Sequence, residues 1–101
     1  MTLDDLYATI LARKTADPAS SWTAQLFASG RIKCAEKIGE EAIEAVIEAV
    51  RGDNAALTAE AADVIYHLLV MLAASDVPLS DVMAELERRQ TQSGIAEKAS
   101  R

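Results

Sequence analysis

The residues of this chain best suited to chemistry are carboxylates. Glu41 and Glu44 stand three apart, as do Glu60 and Asp63, in two stretches whose apolar residues recur at helical spacing. At 100° per residue, Lys37, Glu41, Glu44 and Glu48 fall within an arc of about 60° on one helix, and Glu60, Asp63 and His67 within a similar arc on the next. Folding these helices antiparallel about Gly52-Asp53, at a rise of about 1.5 Å per residue, puts Glu44 about 12 Å and Glu60 about 10.5 Å from the turn. Glu41 and Asp63 then lie about 16.5 and 15 Å away, and Lys37 and His67 about 22 and 21 Å. At the level of Glu48 the facing helix offers only Ala56, so Glu48 is expected to be solvated.

Four carboxylates gathered in this way repel one another by about 3 kcal/mol per pair at 5 Å and an effective dielectric of 20. A cation would relieve that repulsion. Hard oxygen ligands favour Mg²⁺, or Mn²⁺, over zinc or copper. A di-iron bundle needs Glu-x-x-His pairs, and the residue three before His67 is Val64. Because Mg²⁺ shares its coordination shell with phosphate oxygens, the natural partner is a di- or triphosphate. The competing reading is a solvated acidic face, the usual fate of charges at i, i+3 and i+4. Against it, Glu60 and Asp63 interrupt an otherwise apolar helix, where bare carboxylates are costly.

Five helices are expected to position these groups. The first runs from a Thr2 cap through Leu3, Leu6, Tyr7, Ile10 and Leu11 to about Lys14. Asp17-Pro18-Ala19-Ser20-Ser21 is a loop, and its serines can cap a short second helix through Trp22, Leu26 and Phe27 that Gly30 stops. The third spans about 31–51 and is closed by Gly52; Asp53 or Asn54 caps the fourth, which continues to about Ser75. Ser80 or a neighbour opens the fifth, ending near Gln90, and 91–101 is expected to be a polar, mobile tail.

The chain has 101 residues, twenty of them alanine and 4% aromatic. This composition points to one all-α domain, a helical bundle built on the long antiparallel hairpin. A core this small, and a fourth helix apolar nearly all the way round, call for completion by a second copy, so a homodimer is expected. The formal charge is −6, and all of it resides between residues 36 and 63, where eight acidic groups face Lys37 and Arg51 alone. No basic stripe is present to hold a nucleic-acid polymer, and no uninterrupted apolar run of about 18 residues to span a membrane. Nothing near the start resembles a secretion signal, and the cytoplasm is the expected compartment. A single cysteine, Cys34, cannot close an internal disulfide, and one histidine leaves no material for a tetrahedral zinc site.

The run Glu40-Glu41-Ala42-Ile43-Glu44 followed by Glu60-Ala61-Ala62-Asp63 resembles the Glu-x-x-Glu and Glu-x-x-Asp signature of the all-α nucleoside triphosphate pyrophosphatases, the MazG-like superfamily that includes dimeric dUTPases. The flanking residues are more specific. Ser21-Trp22-Thr23 leads to Leu26 and Gly30, Lys37-Ile38-Gly39 precedes Glu40, Val64-Ile65-Tyr66-His67-Leu68-Leu69-Val70 follows Asp63, and Ser93-Gly94 and Glu97-Lys98-Ala99-Ser100-Arg101 close the chain. In these the chain resembles the phosphoribosyl-ATP pyrophosphatases over nearly its whole length, with Trp22 where that family more often has tyrosine.

That resemblance implies Mg²⁺-dependent hydrolysis of phosphoribosyl-ATP to phosphoribosyl-AMP and pyrophosphate, the second step of histidine biosynthesis, in a homodimer. It implies that Glu41, Glu44, Glu60 and Asp63 hold the metal. Glu40 is then placed to accept the proton of the attacking water, or is a salt-bridged surface residue. Lys37 suits a phosphate oxygen, or an ion pair with Glu41 one turn on. His67 is a substrate contact or a satisfied core histidine. Arg31 and Lys33, near the start of the third helix, and Arg88, Arg89, Lys98 and Arg101 are cations for an anionic substrate, or ordinary surface charge. Cys34 reads as a small buried apolar residue. Two rival functions share much of this pattern: a house-cleaning pyrophosphatase acting on dUTP or damaged nucleotides, and a non-catalytic helical dimerisation module.

Overall fold

A computed structural model describes residues 1–91 and 94–100; Ser93 and Arg101, named above, lie outside the described residues. Among the described residues six α-helices follow in chain order: α1 Leu3–Ala12, α2 Trp22–Ala28, α3 Arg31–Arg51, α4 Asn54–Ala74, α5 Leu79–Arg89 and α6 Gly94–Ser100. No strand occurs among them, and the fold is all-α.

Local chemistry explains the boundaries. Thr2 and Asp5 form a capping box, each side chain accepting from the other's backbone N–H. The α-helical stretch ends at Ala12, earlier than the apolar spacing suggests, and Arg13–Thr15 tighten into a 3₁₀ turn. Ser21 accepts from the Ala24 N–H to open α2. Gly52 takes φ 78°, a left-handed conformation that an L side chain adopts only under strain. There the N–H groups of Gly52 and Asp53 return to the carbonyls of Ala49 and Glu48, closing α3. The Asp53 carboxylate then accepts from the Ala56 N–H at 3.0 Å and opens α4, so two residues join two 21-residue helices. α5 begins at Leu79, next to Ser80, behind Pro78, whose ring presets φ. Part of the expected polar tail is helical, as α6.

α3 and α4 make the most extensive helix–helix contact among the described residues. The core consists of Tyr7 and Ile10 from α1, Leu26 from α2, Cys34 near the start of α3, Leu69, Val70 and Ala73 from the last turns of α4, and Leu79. It therefore lies beside the early turns of α3 and the late turns of α4, remote in sequence from Gly52. Two polar ties reinforce it: the Tyr7 hydroxyl donates to the Val77 carbonyl at 2.6 Å, and the Thr23 and Tyr66 hydroxyls bond one another. Nearer Gly52, α3 presents Ile43, Val46, Ile47 and Val50 to solvent, with Val46 62% and Val50 83% exposed. α4 is long and apolar enough to cross a membrane by length and mean hydropathy, although Glu60, Asp63 and His67 lie along it.

Candidate functional site

Three of the four expected ligands meet. One carboxylate oxygen each from Glu41 on α3 and from Glu60 and Asp63 on α4 lie within 4.8 Å of one another. The helical spacing of Glu60 and Asp63 puts both on one face of α4, and packing of α3 against that face brings up Glu41. Glu44 completes the group differently: it is exposed, and it acts on both Glu41 and Glu60 by raising their pKa values.

The electrostatics show crowding. Burial, the hydrogen bond with Glu44, and the charges of Glu44 and Asp63 raise the Glu41 carboxyl above its ordinary pKa, against the pull of Lys37. The same causes in the same order raise Glu60, with the charge of Glu41 added. In addition, the Oε2 atom of Glu60 is buried with no hydrogen-bond partner among the described residues. A buried carboxylate oxygen lacking a donor is costly, and a coordinated cation would offset that cost. Hard oxygens, close spacing and an orphaned lone pair fit Mg²⁺ or Mn²⁺ and give no purchase to softer metals.

Lys37 borders the group from α3. Its Nζ donates to Glu40 at 3.2 Å and lies 3.8 Å from Glu41, so it bridges one exposed and one half-buried carboxylate. His67, one turn beyond Asp63, is 7% exposed and stands edge-on to the Tyr66 ring. Its burial matches the core reading, yet its Nδ1 has no partner among the described residues. Burial and the nearby Lys37 charge lower its pKa, opposed by Asp63 and Glu40.

The remaining sequence candidates are spread more widely. Arg31 is the first residue of α3, exposed, and forms no side-chain ion pair or hydrogen bond with the described residues. Lys33 pairs with Glu36 at 3.6 Å. Arg88 and Arg89 both bind Glu85, at 2.7 and 3.1 Å, and hold its carboxyl down to about 2. Lys98 is exposed on α6. Cys34 is buried and donates to the Leu26 carbonyl at 3.4 Å, and burial raises its thiol pKa, in keeping with a packing role. Glu48 departs from expectation: its side chain is only 15% exposed and accepts from Arg51, one turn on, at 3.2 Å. Spacing arguments also pass over Lys14, which packs against Phe27 and pairs with Asp76. Its partners come from other elements, so no local pattern marks it.

Comparison with known proteins supplies the context for this geometry. The family model described as phosphoribosyl-ATP pyrophosphohydrolase matches residues 3–90, taking in α1 to α5 and every acidic residue of the cluster. Among curated relatives, a phosphoribosyl-ATP pyrophosphatase of Roseobacter denitrificans is 76% identical across all of this chain and 96% of its own length. Those of Dinoroseobacter shibae and Ruegeria pomeroyi are 73% and 72% identical, each covering 94% of the relative and at least 95% of this chain. With an acidic cluster suited to Mg²⁺ inside a match of this extent, the chain belongs to the phosphoribosyl-ATP pyrophosphohydrolase family.

Proposed function

We propose that this chain hydrolyses phosphoribosyl-ATP to phosphoribosyl-AMP and pyrophosphate, the second step of histidine biosynthesis, with its metal held by Glu41, Glu44, Glu60 and Asp63. The observation that carries this reading is the convergence of Glu41, Glu60 and Asp63, with the unpartnered Glu60 oxygen, in a chain of this family. Mg²⁺ bound there supplies positive charge to the phosphate oxygens and acidifies a water. The chain's own residues do the rest. Lys37 exchanges its hold on Glu40 for a phosphate oxygen and offsets the charge that develops on the leaving pyrophosphate. Glu40, released from Lys37, takes the proton of the water that attacks the α-phosphorus; the bond from that phosphorus to the bridging oxygen breaks, and the electron pair leaves with pyrophosphate. Arg31, Lys33, His67, Arg88 and Arg89 bind the substrate's outlying groups.

We read α3 and α4 as an antiparallel hairpin, supported by their two-residue connection, and residues 1–101 as one pyrophosphatase domain. The functional unit is a homodimer in the cytoplasm, with no nucleic-acid polymer or membrane as partner; its dimerisation would cover the apolar residues that α3 and α4 leave exposed. The test is pyrophosphate release from phosphoribosyl-ATP and from dUTP, side by side, with Mg²⁺ and with chelator. Faster hydrolysis of dUTP would assign the chain to nucleotide house-cleaning, and no pyrophosphate from either would leave only the dimerisation module.

A further inference from the structure

Of the cavities that lie apart from the acidic group, one carries two cations. It has a volume of about 330 Å³, and its walls include Pro18, Phe27 and Ala74 with two cations, Lys14 and Arg31; among the described residues no acidic one lines it. Two cations without a lining carboxylate make such a cavity a favourable place for an anion in a chain whose overall charge is negative. Arg31 has no side-chain partner among the described residues, and the partner of Lys14, Asp76, is 88% exposed, so a phosphate dianion can displace that screened pair. The volume is at the low end for small-molecule sites and sufficient for a phosphorylated sugar.

Position gives the cavity its meaning. Arg31 precedes Glu41 by ten residues of α3, about 15 Å along the axis, and Ala74 follows Asp63 by eleven residues of α4, about 16.5 Å. Ala74 is also within about 20° of Asp63 and of His67 around α4, so the acidic group and the cavity lie toward the two ends of one helix face, with the buried Val70 between them. In phosphoribosyl-ATP about sixteen bonds separate the α-phosphorus from the phosphorus of the second ribose 5-phosphate, a reach of at most about 19 Å at 1.1–1.2 Å per bond. The axial separation of the acidic group and the cavity is within that reach.

We propose that this cavity is a second phosphate subsite, in which Lys14 and Arg31 bind the ribose 5-phosphate that distinguishes phosphoribosyl-ATP from ATP. The inference rests on the function proposed above and assigns substrate discrimination to residues remote from the reacting phosphorus. Arg31 supplies a forked donor to the phosphate, Lys14 a point charge, and Phe27 and Pro18 apolar walls for the sugar.

Two measurements test it. In the first, ribose 5-phosphate is titrated by NMR into the chelator-treated protein, with inorganic phosphate as the second probe. Saturable shifts at Phe27 and Arg31 are expected with ribose 5-phosphate, weakened by about ten-fold or more in Arg31→Gln and in Lys14→Gln, the effect of one charge-assisted hydrogen bond. No binding, or binding unaffected by both substitutions, overturns the subsite, and equal affinity for inorganic phosphate overturns the role given to the sugar. In the second, Arg31→Gln raises KM for phosphoribosyl-ATP by about ten- to a hundred-fold with little change in kcat, Arg31→Lys restores part of the loss, and the inhibition constant of ATP stays within about two-fold. An unchanged KM, or an ATP constant that rises in parallel, overturns the proposal. Should the unsubstituted protein release no pyrophosphate from phosphoribosyl-ATP, the reading of function fails, and the metal-free titration still decides the subsite by itself.

Discussion

At the scale of the residue, Glu60 does two opposing things. It is the carboxylate with a buried, unpartnered oxygen, and its pKa is raised by burial and by three acidic neighbours. In the metal-free protein it is a source of repulsion, and in the proposed function it would be a metal ligand. Glu60→Gln is therefore expected to reduce turnover by about a thousand-fold or more, the scale on which charged active-site groups act, while raising the melting temperature of the chelator-treated protein. Pyrophosphate release and circular dichroism check the two halves, and a variant of unaltered rate would remove Glu60 from the metal site. The pH dependence follows from the same shifts. Glu41 and Glu60 hold their protons more tightly folded than unfolded, where the ordinary value is 4.5. Their contribution is thus most favourable below that value, and stability of the metal-free protein falls as pH rises through their raised pKa values. Saturating Mg²⁺ reverses the trend, because it binds the ionised form and stabilises the fold by linkage. Thermal melts from pH 4.5 to 8, with Mg²⁺ and with chelator, should diverge as pH rises; parallel curves would mean that no metal is held there.

At the scale of the element, the helix boundaries show what a sequence can reveal. Thr2, Ser21, Gly52 and Asp53 act through their nearest neighbours along the chain, so their roles as caps and stops are legible from residue types and spacing alone. The same holds for the facing pairs of acidic residues, since period and turn length together set their register. Lys14 is opaque for a physical reason: its partners, Phe27 and Asp76, come from elsewhere in the chain. The α6 helix escapes a reading of the sequence because its residues carry little apolar periodicity to announce it. The two-residue link between α3 and α4 sets the register of the acidic group, and its chemistry yields a measurable cost. Gly52→Ala places a Cβ at φ 78°, where the surroundings are open but the backbone is strained, and should destabilise the fold by about 1 kcal/mol. Asp53→Ala removes the cap on α4 and should cost about 1 kcal/mol as well. Urea denaturation measures both, and a Gly52→Ala protein of unaltered stability would mean that the link relaxes freely.

At the scale of the whole molecule, the outstanding demand is cover. Ile43, Val46, Ile47 and Val50 lie within an arc of about 100° on α3, and Ile65 and Leu68 on α4 are 42% and 38% exposed. An apolar stripe of this kind is costly in water, and among the described residues it is left uncovered. The stripe shares α3 with Glu41 and Glu44, so a second copy seated on it would stiffen the helix that carries half of the acidic group. Association and metal binding should therefore be coupled. Val46→Glu puts a charge in the middle of the stripe and leaves the carboxylates, Lys37 and Arg31 untouched. It is expected to convert a dimer to a monomer in sedimentation equilibrium, and to abolish the rise of melting temperature with protein concentration that an associating fold displays. It should also weaken Mg²⁺ binding, measured by titration calorimetry, because the ligands on α3 are then held by a less rigid support. A Val46→Glu protein that remains dimeric would move the seam to another face, and one that becomes monomeric with undiminished Mg²⁺ affinity would show that a single chain holds the acidic group in place unaided.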